Sequence, residues 1–352
     1  MRRRSTIKVL FFALALLLAG AATLIIIAIN QYNNIKSDPM KIFQQANSQA
    51  TAEPQPTPSN SQQTNSSPVI TQQQELKRIT VDSMEYIEKP QMLSILFCGG
   101  DYMASRAGRV AGERSDMIMV CAINGSEKKA TLISIPRDTR ALVAKVDQNS
   151  GKVMEEQYDK INSAFAYGGG PDRYSYQNTM RCVETFLNTE GTFGISIRHY
   201  TGLNVDGIPH IADALGGVTL KLTEDFPGIG QKGETVTLKG QKAIDFVRER
   251  HAFASSDLAR TQHQQAFMIA LAKKVQKMGA AESIIRLYNE VTKYVNTNLI
   301  TDEMVALSII LDKIDVDSIE HFTIPGEWRE PFIWPDVDKM KEIMLKTYYN
   351  PA

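Results

Sequence analysis

The sequence predicts a layered α/β domain, with helices on both sides of a central mixed sheet (α-β-α), behind one transmembrane helix and a disordered linker. Three observations predict it: an uncharged apolar run near the N-terminus, a long polar stretch after it, and apolar strand segments alternating with helical patterns from about Ile79 onward.

The first element is Val9 to Ile29, 21 residues without a charge. At about 1.5 Å per residue it is long enough to cross the hydrocarbon core of a bilayer. Arg2, Arg3, Arg4 and Lys8 precede it, and Lys36 is the nearest basic residue behind it. That asymmetry puts residues 1–8 in the cytoplasm and the rest outside the cell membrane. A cleaved signal peptide is the competing reading, because Ala19-Gly20-Ala21 resembles a cleavage site. The run continues through LIIIAI (24–29), which is long for a simple signal core and favours an uncleaved anchor.

Residues 30–78 read as an external flexible linker. Ser48 to Gln74 holds a single charged residue and almost nothing to bury. Residues 79–352 then suffice for one large external domain. The 39 basic and 39 acidic side chains of the 352-residue chain cancel. No global field points at nucleic acid, so anion recognition has to be local. Cys98, Cys121 and Cys182 sit in apolar segments without C-x-x-C spacing. Buried thiols fit this pattern better than a disulfide scaffold or a zinc site; a Cys98–Cys121 bridge stays open if their strands are neighbours.

SILFCGG (94–100) reads as a buried strand running into Asp101. DMIMVCAI (116–123) and ATLISIP (130–136) flank the turn NGSEKK, a hairpin signal. Positions 116 and 137 are symmetric about its centre, so Asp116 and Arg137 face each other at the open end, with Arg114 and Asp138 just beyond. A 94–100 strand parallel to 130–136 brings Asp101 to the same edge. Two carboxylates among arginines suit Mg²⁺ carrying phosphate, since Mg²⁺ takes few protein carboxylates and arginine matches phosphate oxygens. An Asp–Arg lattice closing the sheet edge fits the same residues equally well.

RERHAFASSDLARTQHQQ (248–265) concentrates three arginines in 18 residues. GQKAIDFVRER reads as a short helix ending near Arg248 and Arg250, and Ser255 and Ser256 suit the N-cap of a second helix. In that helix Asp257, Arg260 and Gln264 share a face that continues as Phe267 and Leu271. A core helix with a wet first turn has this pattern; so does a site for an amphiphile with an anionic head and a greasy tail. Met180, Val183, Phe186 and Leu187 form another stripe, read as plain core before lipid tunnel. DALGGV (213–218) reads as a tight helix-to-strand turn, and Thr301 as the cap of a helix opening with Asp302 and Glu303.

From about Ser94 to Ala272 the chain resembles the external domain of the LytR–CpsA–Psr family of bacterial envelope proteins. The resemblance rests on GGD (99–101), RSDMIM (114–119), SIPRDTR (134–140), KINSAFAYGGG (160–170), DALGGV and the 248–265 stretch, in that order. It implies an Mg²⁺-dependent phosphotransferase of cell wall biogenesis. Such an enzyme moves a glycopolymer (teichoic acid, capsule or another glycan) from a polyprenyl diphosphate carrier onto peptidoglycan through a phosphodiester. By motif, Asp101 and Asp116 would hold the metal. Arg114, Arg137, Arg248 and Arg250 would clamp the diphosphate with Lys160 and Gln264, while Arg260 and Asp257 complete the pocket. Asp138 would orient Arg137, Asp257 is the candidate proton acceptor, and the lipid tail would lie along Phe267 and Leu271. This set has two positive charges in excess, which suits an anion. The chain departs from the family at His263, where arginine is usual, and we read His263 as a flank of the site. Two other readings use the same residues: a non-catalytic protein that binds lipid-linked polymer, and a hydrolase that cleaves lipid diphosphate.

Overall fold

Buried apolar runs punctuated by glycines and turn residues build a sheet whose order in space differs from its order along the chain. The computed structural model describes residues 33–44, 76–100, 114–189, 191–249, 256–278, 286 and 293–352, with residues 256–259 described by their backbone alone. The strands in chain order are β1 Arg78–Val81, β2 Met84–Glu88, β3 Met92–Gly100, β4 Ser115–Asn124, β5 Lys129–Ser134, β6 Arg140–Val146, β7 Val153–Lys160 and β8 His199–Asn204. They continue as β9 Val218–Lys221, β10 Thr235–Leu238, β11 Val295–Thr297, β12 Glu320–Thr323, β13 Gly326–Arg329, β14 Phe332–Pro335 and β15 Tyr349–Pro351. The principal helices are α1 Ser163–Tyr167, α2 Ser175–Leu187, α3 Gly207–Ala214, α4 Gly240–Arg248, α5 Ser256–Met278, α6 Thr301–Asp312 and α7 Val337–Tyr348.

Two compact units divide the chain. The smaller takes residues 1–59 and 300–311. Helical turns at 33–37 and 40–44 bury Ile35, Met40 and Phe43, so the linker expected over 30–78 is structured over this part. Residues 45–75, and the anchor expected over 9–29, lie outside the described residues. No helix among the described residues is long and apolar enough to cross a membrane. In α6 the carboxylate of Glu303 accepts from the Ile300 N–H at 2.9 Å. The capping bond at this end therefore comes from Glu303 rather than from Thr301.

The larger unit, 60–299 with 312–352, is built on a six-stranded sheet of order β11-β8-β3-β4-β5-β12. Its pairings are mixed: β3 and β8 run parallel, as do β5 and β12, while β4 is antiparallel to both β3 and β5. Hence β3 and β5 point the same way with β4 between them, which meets the condition for β3 to end at the edge that carries Arg137. Leu96, Cys98, Ile118, Val120 and Ile133 bury one sheet face against Phe165 of α1, Val183 and Leu187 of α2, and Met340 and Met344 of α7. Each such side chain contributes about 1.5–3 kcal/mol on burial. Met180 and Phe186 pack against the same cluster, so that stripe is core.

A second cluster joins Ile208 and Ala212 of α3, Val218 of β9, Leu238 of β10, Phe246 and Val247 of α4, and Phe267 and Ala270 of α5. The DALGGV turn between α3 and β9 works through Gly216 and Gly217, whose φ angles of +74° and +103° exclude most side chains.

The cysteines are free and buried. Ile95 is the register partner of Cys121, and Cys98 that of Ile118. The two sulfurs therefore leave opposite faces of the β3–β4 pair, and adjacency of the strands does not join them. Burial pushes the Cys98 and Cys121 thiols up to about 12 and Cys182 up to about 11. At pH 8 only a minute fraction is thiolate, the reactive form. A thiol-specific disulfide reagent should find no rapidly reacting group in the native protein and three after denaturation. A burst of one or more thiols in the native state would contradict this burial.

Candidate functional site

The site begins with a register. Every pair of the β4–β5 ladder from Asn124↔Lys129 to Met119↔Ser134 conforms to one alignment. Extended past the ladder, that alignment sets Asp116 opposite Arg137. There Arg137 Nη1 donates to Asp116 Oδ1 at 2.7 Å. On the other side β4 slips against β3: Met117 pairs with Gly99 and Ser115 with Gly100. Asp116 is the extra residue of that bulge, and bulges re-aim side chains next to sites. Gly99 leaves room for it, since a Cβ there would lie 3.1 Å from the Met117 side chain.

The Arg137 guanidinium also donates through Nε to Asp138 Oδ2 at 3.3 Å, and Lys160 Nζ lies 2.8 Å from Asp138 Oδ1. Asp138 is nearly buried and bridges two cations, which is the orienting position expected of it. The backbone here is pinned on several sides. The carbonyls of Arg137, Asp138 and Thr139 accept from Asn162, Ile333 and Ile161 respectively. Buried carbonyls so occupied leave the loop little freedom.

Across from this edge stands α5, seated by two residues that flank a third. Gln265 Nε2 donates to Ser134 Oγ at 2.7 Å and to the Phe322 carbonyl at 3.1 Å, which ties the helix to β5 and β12. His263 Nε2 lies 2.8 Å from Glu224 Oε1, and its ring packs against Phe226 and Phe246. Between them Gln264 turns to a cavity of about 270 Å³. Asp116, Arg248, Arg260 and Gln264 give this cavity a polar part; Met117, Leu203, Val205, Ile208, Val247, Phe267 and Met268 give it an apolar one. Its volume is near the lower end of ordinary ligand pockets, roughly 300 Å³.

The expected residues are distributed as follows. Asp116, Arg248, Arg260, Gln264 and Phe267 line the cavity, and Arg137, Asp138 and Lys160 join it through Asp116. Leu271 does not line it; it packs against the second core cluster, one turn beyond Phe267. Arg114, exposed before β4, does not line it either. Its charge acts on the Tyr167 hydroxyl, which is raised chiefly by its 2.6 Å hydrogen bond to Asp159. Asp101, Arg250 and the side chain of Asp257 lie outside the described residues. His263 is a buried brace turned away from the cavity, as a flank should be.

Sequence reasoning missed Leu203, Val205, Ile208 and the ion pair of Arg248 Nη2 with Asp206 Oδ1 at 3.4 Å. The signal lay in TGLNVDGI, the end of a strand parallel to β3, where α/β sheets place their ligand sites. For a metal, Asp116 offers a hard carboxylate oxygen at the cavity wall, and Asp101 follows Gly100 directly in the chain. That donor chemistry fits Mg²⁺, which needs few protein ligands. No group of three or more His, Cys, Asp or Glu suited to a metal occurs among the described residues.

The LytR_cpsA_psr family model matches residues 41–349. The chain is 32% identical over 214 residues to the polyisoprenyl-teichoic acid–peptidoglycan teichoic acid transferase TagU of Halalkalibacterium halodurans, covering 60% of this chain and 62% of that protein. TagU of Bacillus mycoides is 30% identical over 244 residues, covering 68% of this chain and 71% of that one. The crystal structure of B. subtilis TagV shares the fold with a TM-score of 0.55 and 25% identity, over 73% of this chain and 96% of that chain. The chain thus spans somewhat under two thirds of the length of the first of these relatives.

The two cavity arginines differ in burial, and stability should separate them. The Arg248 side chain is 40% exposed, whereas Arg260 is 3% exposed. Arg248→Ala should shift unfolding free energy by no more than about 0.5 kcal/mol, and Arg260→Ala should lower it by about 1–3 kcal/mol. Urea unfolding of both variants checks this, and equal effects would contradict the placement.

Proposed function

The chain belongs to the LytR_cpsA_psr family, and we propose on that premise that it is a phosphotransferase. It moves a glycopolymer from a polyprenyl diphosphate carrier onto peptidoglycan and leaves a phosphodiester link. One observation carries the reading: a single cavity joins a cationic, hydrogen-bonding part to an apolar part built from β8, α3, α4 and α5. A lipid diphosphate has that same division. Teichoic acid, the polymer named for the relatives, is the first glycopolymer to test.

In this reading the Arg248 and Arg260 guanidiniums bind the diphosphate, and Arg137 reaches it from the Asp116 edge. Gln264 adds an uncharged donor. The first isoprenyl units lie against Val247, Ile208 and Phe267, and the remainder of the lipid, too large for about 270 Å³, continues outside. An acceptor sugar hydroxyl attacks the phosphorus that carries the polymer. The new P–O bond forms as the bond to the lipid phosphate breaks, the hydroxyl proton would pass to Asp257, the candidate acceptor, and lipid monophosphate leaves. Catalysis of this kind depends on positioning and charge stabilisation. Asp116 and Asp101 would hold Mg²⁺, which neutralises charge on phosphate oxygens. The enzyme would sit in the cell membrane by its Val9–Ile29 anchor, with the catalytic domain outside.

The test uses a labelled lipid-linked oligosaccharide with and without peptidoglycan. Label should enter peptidoglycan in a Mg²⁺-dependent way. Arg248→Ala should lower the rate by about 10²-fold, the scale of losing one charge-stabilising donor, with the fold intact. Asp116→Asn should raise the Mg²⁺ concentration needed for half-maximal rate. Release of label into water alone would make the protein a hydrolase, binding without turnover would make it a carrier protein, and full activity in excess EDTA would remove the metal.

A further inference from the structure

The chain has two tryptophans, Trp328 and Trp334, and both are exposed, at 57% and 39%. Both belong to the β13–β14 hairpin, which pairs Trp328 with Ile333 and Glu327 with Trp334. Exposed large aromatics in a cluster mark a binding surface more often than isolated ones do. This cluster adjoins the candidate site. The Ile333 N–H donates to the Asp138 carbonyl at 2.9 Å, and Ile333 bridges Thr139. The hairpin is therefore docked on the loop that carries Arg137.

The register leaves the two indoles on opposite faces of the hairpin, yet each reaches one of two cations paired across β6 and β7. Arg140 is the register partner of Lys160. Its guanidinium carbon lies 4.4 Å from the Trp334 ring centroid and 3.7 Å from that of Tyr158, itself 59% exposed. Lys160 Nζ lies 5.7 Å from the Trp328 ring. Such stacking orients the rings before any ligand arrives. A continuous run of contacts leads inward from them: Trp328, Lys160, Asp138, Arg137, Asp116 and the cavity.

We propose that Tyr158, Trp328 and Trp334, held by Arg140 and Lys160, bind the glycan of the acceptor and bring its hydroxyl to the cavity from outside. This rests on the transferase reading, in which a second substrate must reach the phosphorus without passing through the lipid slot. Pyranose rings offer flat C–H faces to aromatic rings and hydroxyls to polar neighbours. The surrounding charge favours a glycan over a bilayer. Exposed Glu155, Glu156, Glu327 and Glu330 flank the aromatics, two of them paired with Lys145 and Arg329, so no cationic surplus draws an anionic lipid surface here.

Because both tryptophans lie in this cluster, tryptophan emission, excited selectively over the twelve tyrosines, reports on it alone. Titrating the full chain with N-acetylglucosamine oligomers should change emission saturably. Trp328→Ala or Trp334→Ala should weaken binding about fivefold or more, and Trp328→Phe should largely restore it. In the transfer assay the same Ala variants should raise KM for the acceptor and leave KM for the lipid-linked donor unchanged. Absence of an emission change, a change with phosphatidylcholine–phosphatidylglycerol vesicles but not with glycan, or an unaltered acceptor KM in both Ala variants would overturn the proposal. Glycan binding without any transfer by the wild type would support the surface and count against the transferase reading.

Discussion

The candidate site depends on the register of the β4–β5 hairpin. Asp116 and Arg137 are 21 positions apart, and they meet because each ladder pair between them conforms to one alignment. A slip of one residue would turn every side chain of β4 to the other sheet face. It would swap Ile118 and Val120 with Met119, Cys121 and Ile123, which are buried on the opposite face, and turn Asp116 out of the cavity. The apolar core thereby enforces the geometry of the charges: a register error misfits close-packed side chains on both buried faces of β4, which costs more than the ion pair could recover.

The hairpin fixes one wall, and α5 fixes the other through the run His263-Gln264-Gln265. Adjacent helical residues are about 100° apart, so three in a row can serve three directions. Gln265 binds the sheet at Ser134 and His263 binds Glu224 within the second cluster, which leaves Gln264 held between two anchored neighbours and facing the cavity. The departure from the family pattern at His263 sits in this brace. The imidazole between Phe226 and Phe246 needs less room than a guanidinium, and Glu224 is its polar partner.

Local pairing made much of this legible in the sequence. The hairpin arithmetic set Asp116 against Arg137, and the mixed sheet, the short helix before Arg248 and the DALGGV turn followed from spacing and turn chemistry. What escaped depended on long-range topology. Leu203, Val205 and Ile208 reach the cavity because β8 lies parallel beside β3, a neighbour relation that no local pattern encodes. Helical periodicity put Leu271 on the stripe of Phe267, but the second cluster claims it. Likewise Arg114 precedes β4 as expected, yet it is exposed and does not line the cavity that Asp116, displaced by the bulge, reaches. The tryptophan hairpin drew no functional reading, because its significance lies in docking on the Asp138 carbonyl from nearly 200 residues away.

The two halves of the cavity also explain each other physically. A sheet edge can present charge where its ladder ends, but at an open edge water screens that charge, and attraction to an anion falls toward its weak value in bulk water. The helices α3, α4 and α5 bring Ile208, Val247, Phe267 and Met268 to that edge and replace water with apolar surface. Arg260, almost wholly buried at this junction, then acts where the effective dielectric is low. Charge is desolvated before a substrate arrives, so less reorganisation remains for the transition state. The same apolar surface that strengthens the cations is the surface a lipid tail would cover. An ion-pair lattice that only closed the sheet edge would require the carboxylates and guanidiniums, but not an apolar slot leading away from them.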